Sequence, residues 1–256
     1  MELTYSTLAL TFAIFALACY IQTNTGFAFA LIVMSLGGAF NVLPLSVLAY
    51  SVSFLSLVNS TTALRGALQH VDRQLLGWML VSCIPGAIFG VWLLDSLSTH
   101  SQDGLRIAFG ITIILCGLLM LQKPQPLEQR SSNGVVVGTG TIAGITGGLF
   151  AAFGPPIAYL AYRQPLPIKT ILTTLLAVFW ATAVLRIAIV SSMSDVPADV
   201  FWLIAAGVPW IVVCTWLSKR FTPPIRELTL RRGAMGLLML SGLSVLLAGL
   251  KGLLQL

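Results

Sequence analysis

Between Glu2 and Arg65 the chain runs for 62 residues without an Asp, Glu, Lys or Arg. Drawn as one helix, that stretch would be about 93 Å long, against roughly 30 Å for the hydrocarbon core of a bilayer. It is too apolar for water and too long to cross a membrane once, so the chain must turn back within it. The other charges also bracket empty stretches: Arg73 to Asp95, Arg130 to Arg163 and Asp199 to Lys219, with shorter ones from Arg106 to Lys123, Lys169 to Arg186 and Arg232 to Lys251. Only 9% of the chain is charged and 57% is hydrophobic, whereas a soluble domain carries about a quarter charged residues. The sequence therefore predicts an all-α integral membrane protein, because the bilayer core admits only backbone that satisfies its own hydrogen bonds.

Several classes are excluded on the same grounds. The first apolar stretch has no basic n-region and continues far beyond signal-peptide length. Cys19, Cys83, Cys116 and Cys214 fall singly in apolar segments, which gives neither a disulfide framework nor metal-ligand spacing. The formal charge of +6 would suggest nucleic acid in a soluble protein, but these basic residues sit at segment ends, where orientation signals belong; no nucleic-acid partner is expected. The two histidines, His70 and His100, lie in loops, and all eight acidic residues flank the apolar segments. An intramembrane enzyme, a metal-cation carrier and a buried carboxylate proton relay all lack their residues. No cofactor or metal is expected, and the reading is not an enzyme but a transporter, with an anion channel or uniporter as the alternative and an intramembrane enzyme as a remote one.

Turn signals divide the chain into two halves. Gln22-Thr23-Asn24-Thr25-Gly26 is the most polar interruption of the first stretch, and Gly37-Gly38 with Asn41 and Pro44 is the second. A broken hairpin over residues 3–40, with arms long enough to span, is followed by helices near 44–67, 75–94 and 104–121. The polar stretch 122–133 is a linker on the cytoplasmic side, separating a first membrane repeat (1–121) from a second (134–256). The second repeat opens with a broken segment over 134–162, interrupted at Gly154-Pro155-Pro156, whose short second arm, Ile157 to Tyr162, favours a partial crossing, and continues with helices near 168–190, 200–218 and 233–250. Trp78, Pro85 and Trp92 recur as Trp202, Pro209 and Trp216, each displaced by 124 residues. Eleven of the fourteen basic residues fall on one side of this arrangement and Asp95, Asp103, Asp195 and Asp199 on the other. The excess of Lys and Arg marks the cytoplasmic face, which makes the halves inverted-topology repeats, each a broken-helix hairpin plus three transmembrane helices. Hairpins entering from opposite faces bring their tips toward a midplane site.

The residues resemble the sulfite exporter TauE/SafE family over nearly the whole chain. The likeness rests on Thr25-Gly26-Phe27-Ala28-Phe29-Ala30-Leu31, on Leu64-Arg65 followed by His70 and Asp72, and on Gly147-Gly148-Leu149-Phe150 with Phe153-Gly154-Pro155-Pro156. Alanine stands at Ala28, Ala30 and Ala151, and phenylalanine at Phe153, where the family usually has glycine. The resemblance implies transport of sulfite, organosulfonates or related sulfur anions across a bacterial inner membrane, with alternating access between the halves. Its partners would be a small anionic substrate and the lipid bilayer; homo-oligomerisation is left open.

Physical reasoning points independently to an anion. A helix restarting after each break directs free N–H groups and its positive dipole end at the midplane. Asn24 or Thr25 suits an N-cap there, and Pro155 or Pro156 a first helical turn. The expected substrate site comprises Gln22, Thr23, Asn24, Thr25 and Gly26 at the first break, Gly154 and Pro155 at the second, Asn59 and Thr182 on facing helices, and the arginines Arg65 and Arg186. For Gln22, Thr23 and Asn24 the competing role is to satisfy a broken helix. For Asn59 and Thr182 it is interhelical hydrogen bonding, and for the arginines it is snorkelling to the interface.

Overall fold

The computed structural model describes residues 5–40, 42–100, 102–121, 125–151, 153–193 and 198–221, together with 236, 239, 242, 243, 246, 247 and 249–252. Among them every regular element is helical. The order is α1 (Tyr5–Thr25), α2 (Phe29–Ala39), α3 (Leu45–Leu64), a 3-10 turn (Leu68–His70), α4 (Arg73–His100), α5 (Gln102–Leu121), α6 (Asn133–Phe150), α7 (Gly154–Arg163), α8 (Ile168–Met193) and α9 (Ala198–Arg220). By length and apolarity α1, α3, α4, α6, α8 and α9 each contain a segment able to cross a membrane. The linker residues 122–124 and most of the expected helix 233–250 lie outside the described residues.

The two broken segments differ from expectation in detail. In the first, α2 has 11 residues, about 16 Å of helix, so this arm reaches only half-way across and does not span. In the second, α7 has 10 residues and is equally short, as expected of that arm. The second break follows Phe150, the last residue of α6, and ends before the predicted Gly154-Pro155-Pro156, because those prolines occupy the first turn of α7, where a missing N–H costs nothing. Residues 22–25 do not form the first break. They are the last turn of α1, and the chain leaves the helix at Gly26 (φ 77°) and Ala28 (φ 86°).

Close packing fixes the bundle. α4 lies along α6, and a Cβ on Gly86 or Gly90 of α4, or on Gly144 or Gly148 of α6, would collide with a backbone carbonyl of the facing helix. Membrane helices gain little from hydrophobic association, so backbone-to-backbone approach across small residues supplies the contact instead. α9 packs on α1 and α3, while α8 packs on α3 and α4. Pro85 and Pro209 lie inside α4 and α9. The flanking Trp78, Trp92, Trp202 and Trp216 are all exposed, the last three by more than half, and so face out of the bundle as interfacial aromatics do. Met239, Leu246 and Gly249 meet α5 along its glycines and polar end: a Cβ on Gly117 would lie 2.7 Å from Met239, and one on Gly110 2.7 Å from Leu246.

Residues 127–131, between α5 and α6, strap the start of α4 to the end of α7 on the face bearing Arg163. Arg130 Nη2 donates to Asp72 Oδ2 at 2.7 Å and Arg130 Nη1 to Gln74 Oε1 at 3.2 Å. Leu127 N donates to Arg163 O at 2.8 Å, and Gln164 Nε2 to Ser131 Oγ at 2.9 Å. Asp72 also caps α4, accepting from Leu75 N at 2.9 Å.

Candidate functional site

The two chain breaks meet. A methyl group on Gly154 would lie 3.9 Å from the Ala28 amide nitrogen, and Tyr162 Oη of α7 donates to Thr25 O at the end of α1, 2.9 Å away. Around this junction lies a small cavity, lined from the last turn of α1 by Gln22, from the first break and the start of α2 by Ala28 and Phe29, from the second break by Ala151, Phe153 and Gly154, from α3 by Ser53 and Ser56, and from α8 by Phe179, Thr182 and Arg186. Both breaks turn on a left-handed alanine, Ala28 at φ 86° and Ala151 at φ 56°. That conformation costs a residue with a Cβ about 1–2 kcal/mol, strain held where the backbone approaches the cavity.

Two helix N-termini open here. The first turn of α2, from Phe29, has backbone N–H groups with no acceptor inside the helix, and its N-cap Ala28 has no side-chain cap. The first turn of α7 carries Pro155 and Pro156, which bring the positive dipole end without two of the donors. Donation to a ligand would fall mainly to α2.

Arg186 is the only charged residue lining the cavity among the described residues, and it is 1% exposed. Its Nε donates to Gly147 O at 3.1 Å and its Nη2 to Gly148 O at 3.2 Å. Its Nη1 reaches Ala49 O at 2.9 Å and Ser53 Oγ at 3.0 Å. The Gly147 and Gly148 carbonyls belong to the negative end of α6, which favours a cation. The ion pairs among the described residues join Arg106 to Asp103 and Arg130 to Asp72; none involves Arg186. A guanidinium has five N–H groups, and these four bonds leave one Nη2 hydrogen over. The site is thus a desolvated cation held by carbonyl dipoles and a hydroxyl, with no counter-ion among the described residues.

The remaining expected residues separate into groups. Gln22, Gly154, Thr182 and Arg186 line the cavity. Gly26 forms the turn, and Pro155 is buried in α7 behind Gly154. Thr23, Asn24 and Thr25 turn back along α1, bonding the carbonyls of Cys19, Tyr20 and Ile21 at 2.8 Å each. Asn24 and Thr25 therefore cap no helix start, because a polar side chain in a final helical turn is closer to the carbonyl four residues back. Asn59 is buried beyond the cavity, its Nδ2 2.9 Å from Cys19 Sγ. Arg65 is exposed, one residue past the end of α3, outside the lining. Sequence reasoning missed Ser53 and the aromatic wall of Phe29, Phe153 and Phe179. The signal for the serines was present, since Ser53, Ser56 and Ser60 fall three and four residues apart, on one helical face.

Comparison with known proteins identifies a family. The family model described as Sulfite exporter TauE/SafE matches residues 11–245. A protein of Cupriavidus necator named as a probable sulfite/organosulfonate exporter TauE is 34% identical over 235 residues, covering 92% of this chain and 92% of that one. No solved structure matches the chain. With a match over nearly its whole length and a bundle of apolar helices long enough to cross a bilayer, the chain belongs to the TauE/SafE sulfite exporter family and is a multi-pass membrane transporter of bacteria, not an enzyme.

Proposed function

We propose that this protein carries small sulfur oxyanions, sulfite and small organosulfonates, across the bacterial inner membrane, binding them in the cavity between the two chain breaks. The observation that carries the reading is Arg186: a buried guanidinium with four carbonyl and hydroxyl partners, one N–H to spare and no carboxylate beside it among the described residues. A buried charge without a counter-charge is costly, and a bound monoanion supplies one. Charge-assisted bonds from Arg186 and the first-turn amides of α2 suit a group that spreads its charge over several oxygens. The substrate class follows the similarity to the Cupriavidus necator exporter. Phe29, Phe153 and Phe179 give the cavity an apolar wall for the carbon end of a sulfonate.

Alternating access between inverted halves is part of the same proposal. Its support is an exchange pattern in the packing: α4 of the first half lies along α6 of the second, and α9 of the second along α1 of the first, while α3 meets α9 as α8 meets α4. The test is flux into proteoliposomes of sulfite and short alkyl sulfonates against carboxylates of matched size. Saturable flux that favours the sulfur anions is expected; equal flux of carboxylates, or none of either, would remove the substrate assignment.

A further inference from the structure

The serine face of α3 continues past the cavity. Ser53 bonds Arg186, Ser56 lines the cavity, and Ser60, one turn further toward Arg65, is fully buried and accepts from Gln22 Nε2 at 3.2 Å. Beside that bond, one residue earlier on α3 and three earlier on α1, lies a second buried polar group where α1, α3 and α9 meet. Asn59 Nδ2 lies 2.9 Å from Cys19 Sγ, which in turn lies 3.1 Å from Thr215 Oγ1. One turn further, Lys219 Nζ donates to Thr62 O at 3.2 Å. In contrast to the glycine-filled seam of α4 and α6, this seam is polar from the cavity to a basic helix end.

Asn59 marks it as more than packing. Its side chain is fully buried, yet Oδ1 has no hydrogen-bond partner among the described residues. Such an atom in a membrane interior is expensive and is expected where another arrangement of the helices, or water admitted by it, completes the bonding. Gln22 stands between the two compartments, lining the cavity with the same side chain that bonds Ser60.

We propose that the substrate passes between the cavity and the Arg65 face along the α1/α3/α9 seam, and that the Gln22–Ser60 hydrogen bond is the gate closing it. This rests on the reading of the cavity as the transport site. The path ahead of the gate presents hydroxyls, an amide and then the positive charges of Lys219 and Arg65, and no carboxylate among the residues named, which suits an anion leaving Arg186.

Cys19, fully buried beside the gate on α1, is a native reporter. Wild-type protein and the variants Gln22→Ala and Ser60→Ala, in proteoliposomes, are treated with a sulfonate-bearing methanethiosulfonate reagent, and modified cysteines are located by peptide mass mapping. Opening the gate should speed modification of Cys19 at least several-fold in both variants. Cys83, buried in the α4/α6 seam, should stay unmodified. Unchanged Cys19 modification in variants that still carry sulfonate would overturn the gate and leave the cavity standing. A parallel rise at Cys83 would also overturn it, since that reports a loosened bundle. Faster Cys19 modification in a protein that carries no sulfur anion would uphold the gate and remove the substrate assignment instead.

Discussion

Arg186 and Arg65 look alike in the sequence, since both follow a leucine near the end of an apolar stretch. What separates them is the company at each site. Arg186 lies inside α8, seven residues before its end, and meets the carbonyl end of α6, whereas Arg65 stands one residue beyond α3 and is exposed. No pattern in one chain reveals which carbonyls a guanidinium will find. Arg186→Lys keeps the charge but loses the planar fork that holds four acceptors at once; sulfonate flux should fall by about tenfold or more, while Arg65→Ala should stay within about twofold of wild type. Comparable losses in both would show that depth does not distinguish them. The left-handed alanines make a second prediction. Ala151→Gly removes a Cβ from φ 56° and should stabilise the protein by about 0.5–1 kcal/mol, the relieved strain minus the added chain entropy. An unchanged or lowered thermal midpoint would deny that strain.

Helices were legible because charges end them. The expected 168–190 and 200–218 became α8 and α9 with small extensions, and the Trp and Pro register recurs inside α4 and α9. The first break was misread because Gln22, Thr23 and Asn24 look like a loop, yet the latter two satisfy themselves against α1. The half-length of α2 was hidden as well, since an apolar run has the same appearance whether it spans or stops at mid-membrane. Glycine gives the prediction at this scale. Gly144→Leu should prevent α4 and α6 from closing and abolish folded protein in detergent extracts, because the facing Cys83 carbonyl cannot yield. Gly138→Ala, which has nothing within 4 Å of its new methyl, should behave as wild type. Size-exclusion profiles of the two compare them directly.

Across the described residues, Asp72 ties α4 to α8 and to the segment that precedes α6. Asp72 caps α4 and holds Arg130 of the linker, and its backbone N–H donates to Thr174 Oγ1 on α8 at 2.9 Å. Asp72→Ala should therefore cost about 1–2 kcal/mol through the lost cap and the lost charge-assisted bond, read as a lowered thermal midpoint; no change would mean the strap bears no strain. The repeated Trp and Pro residues and the charge asymmetry led to an expectation of two halves. The sequence could not carry the meeting of the two breaks, which depends on contacts between residues more than a hundred positions apart. That meeting makes the cavity, and the central claim is that an anion sits there against Arg186. The direct measurement is a structure of the protein with a bromine-bearing alkyl sulfonate, located by the anomalous signal of the bromine. The account predicts one site per chain, with the sulfonate within hydrogen-bond reach of Arg186 and the first turn of α2 and the bromine toward Phe153 and Phe179; a sulfonate bound elsewhere, with the cavity empty, would contradict it.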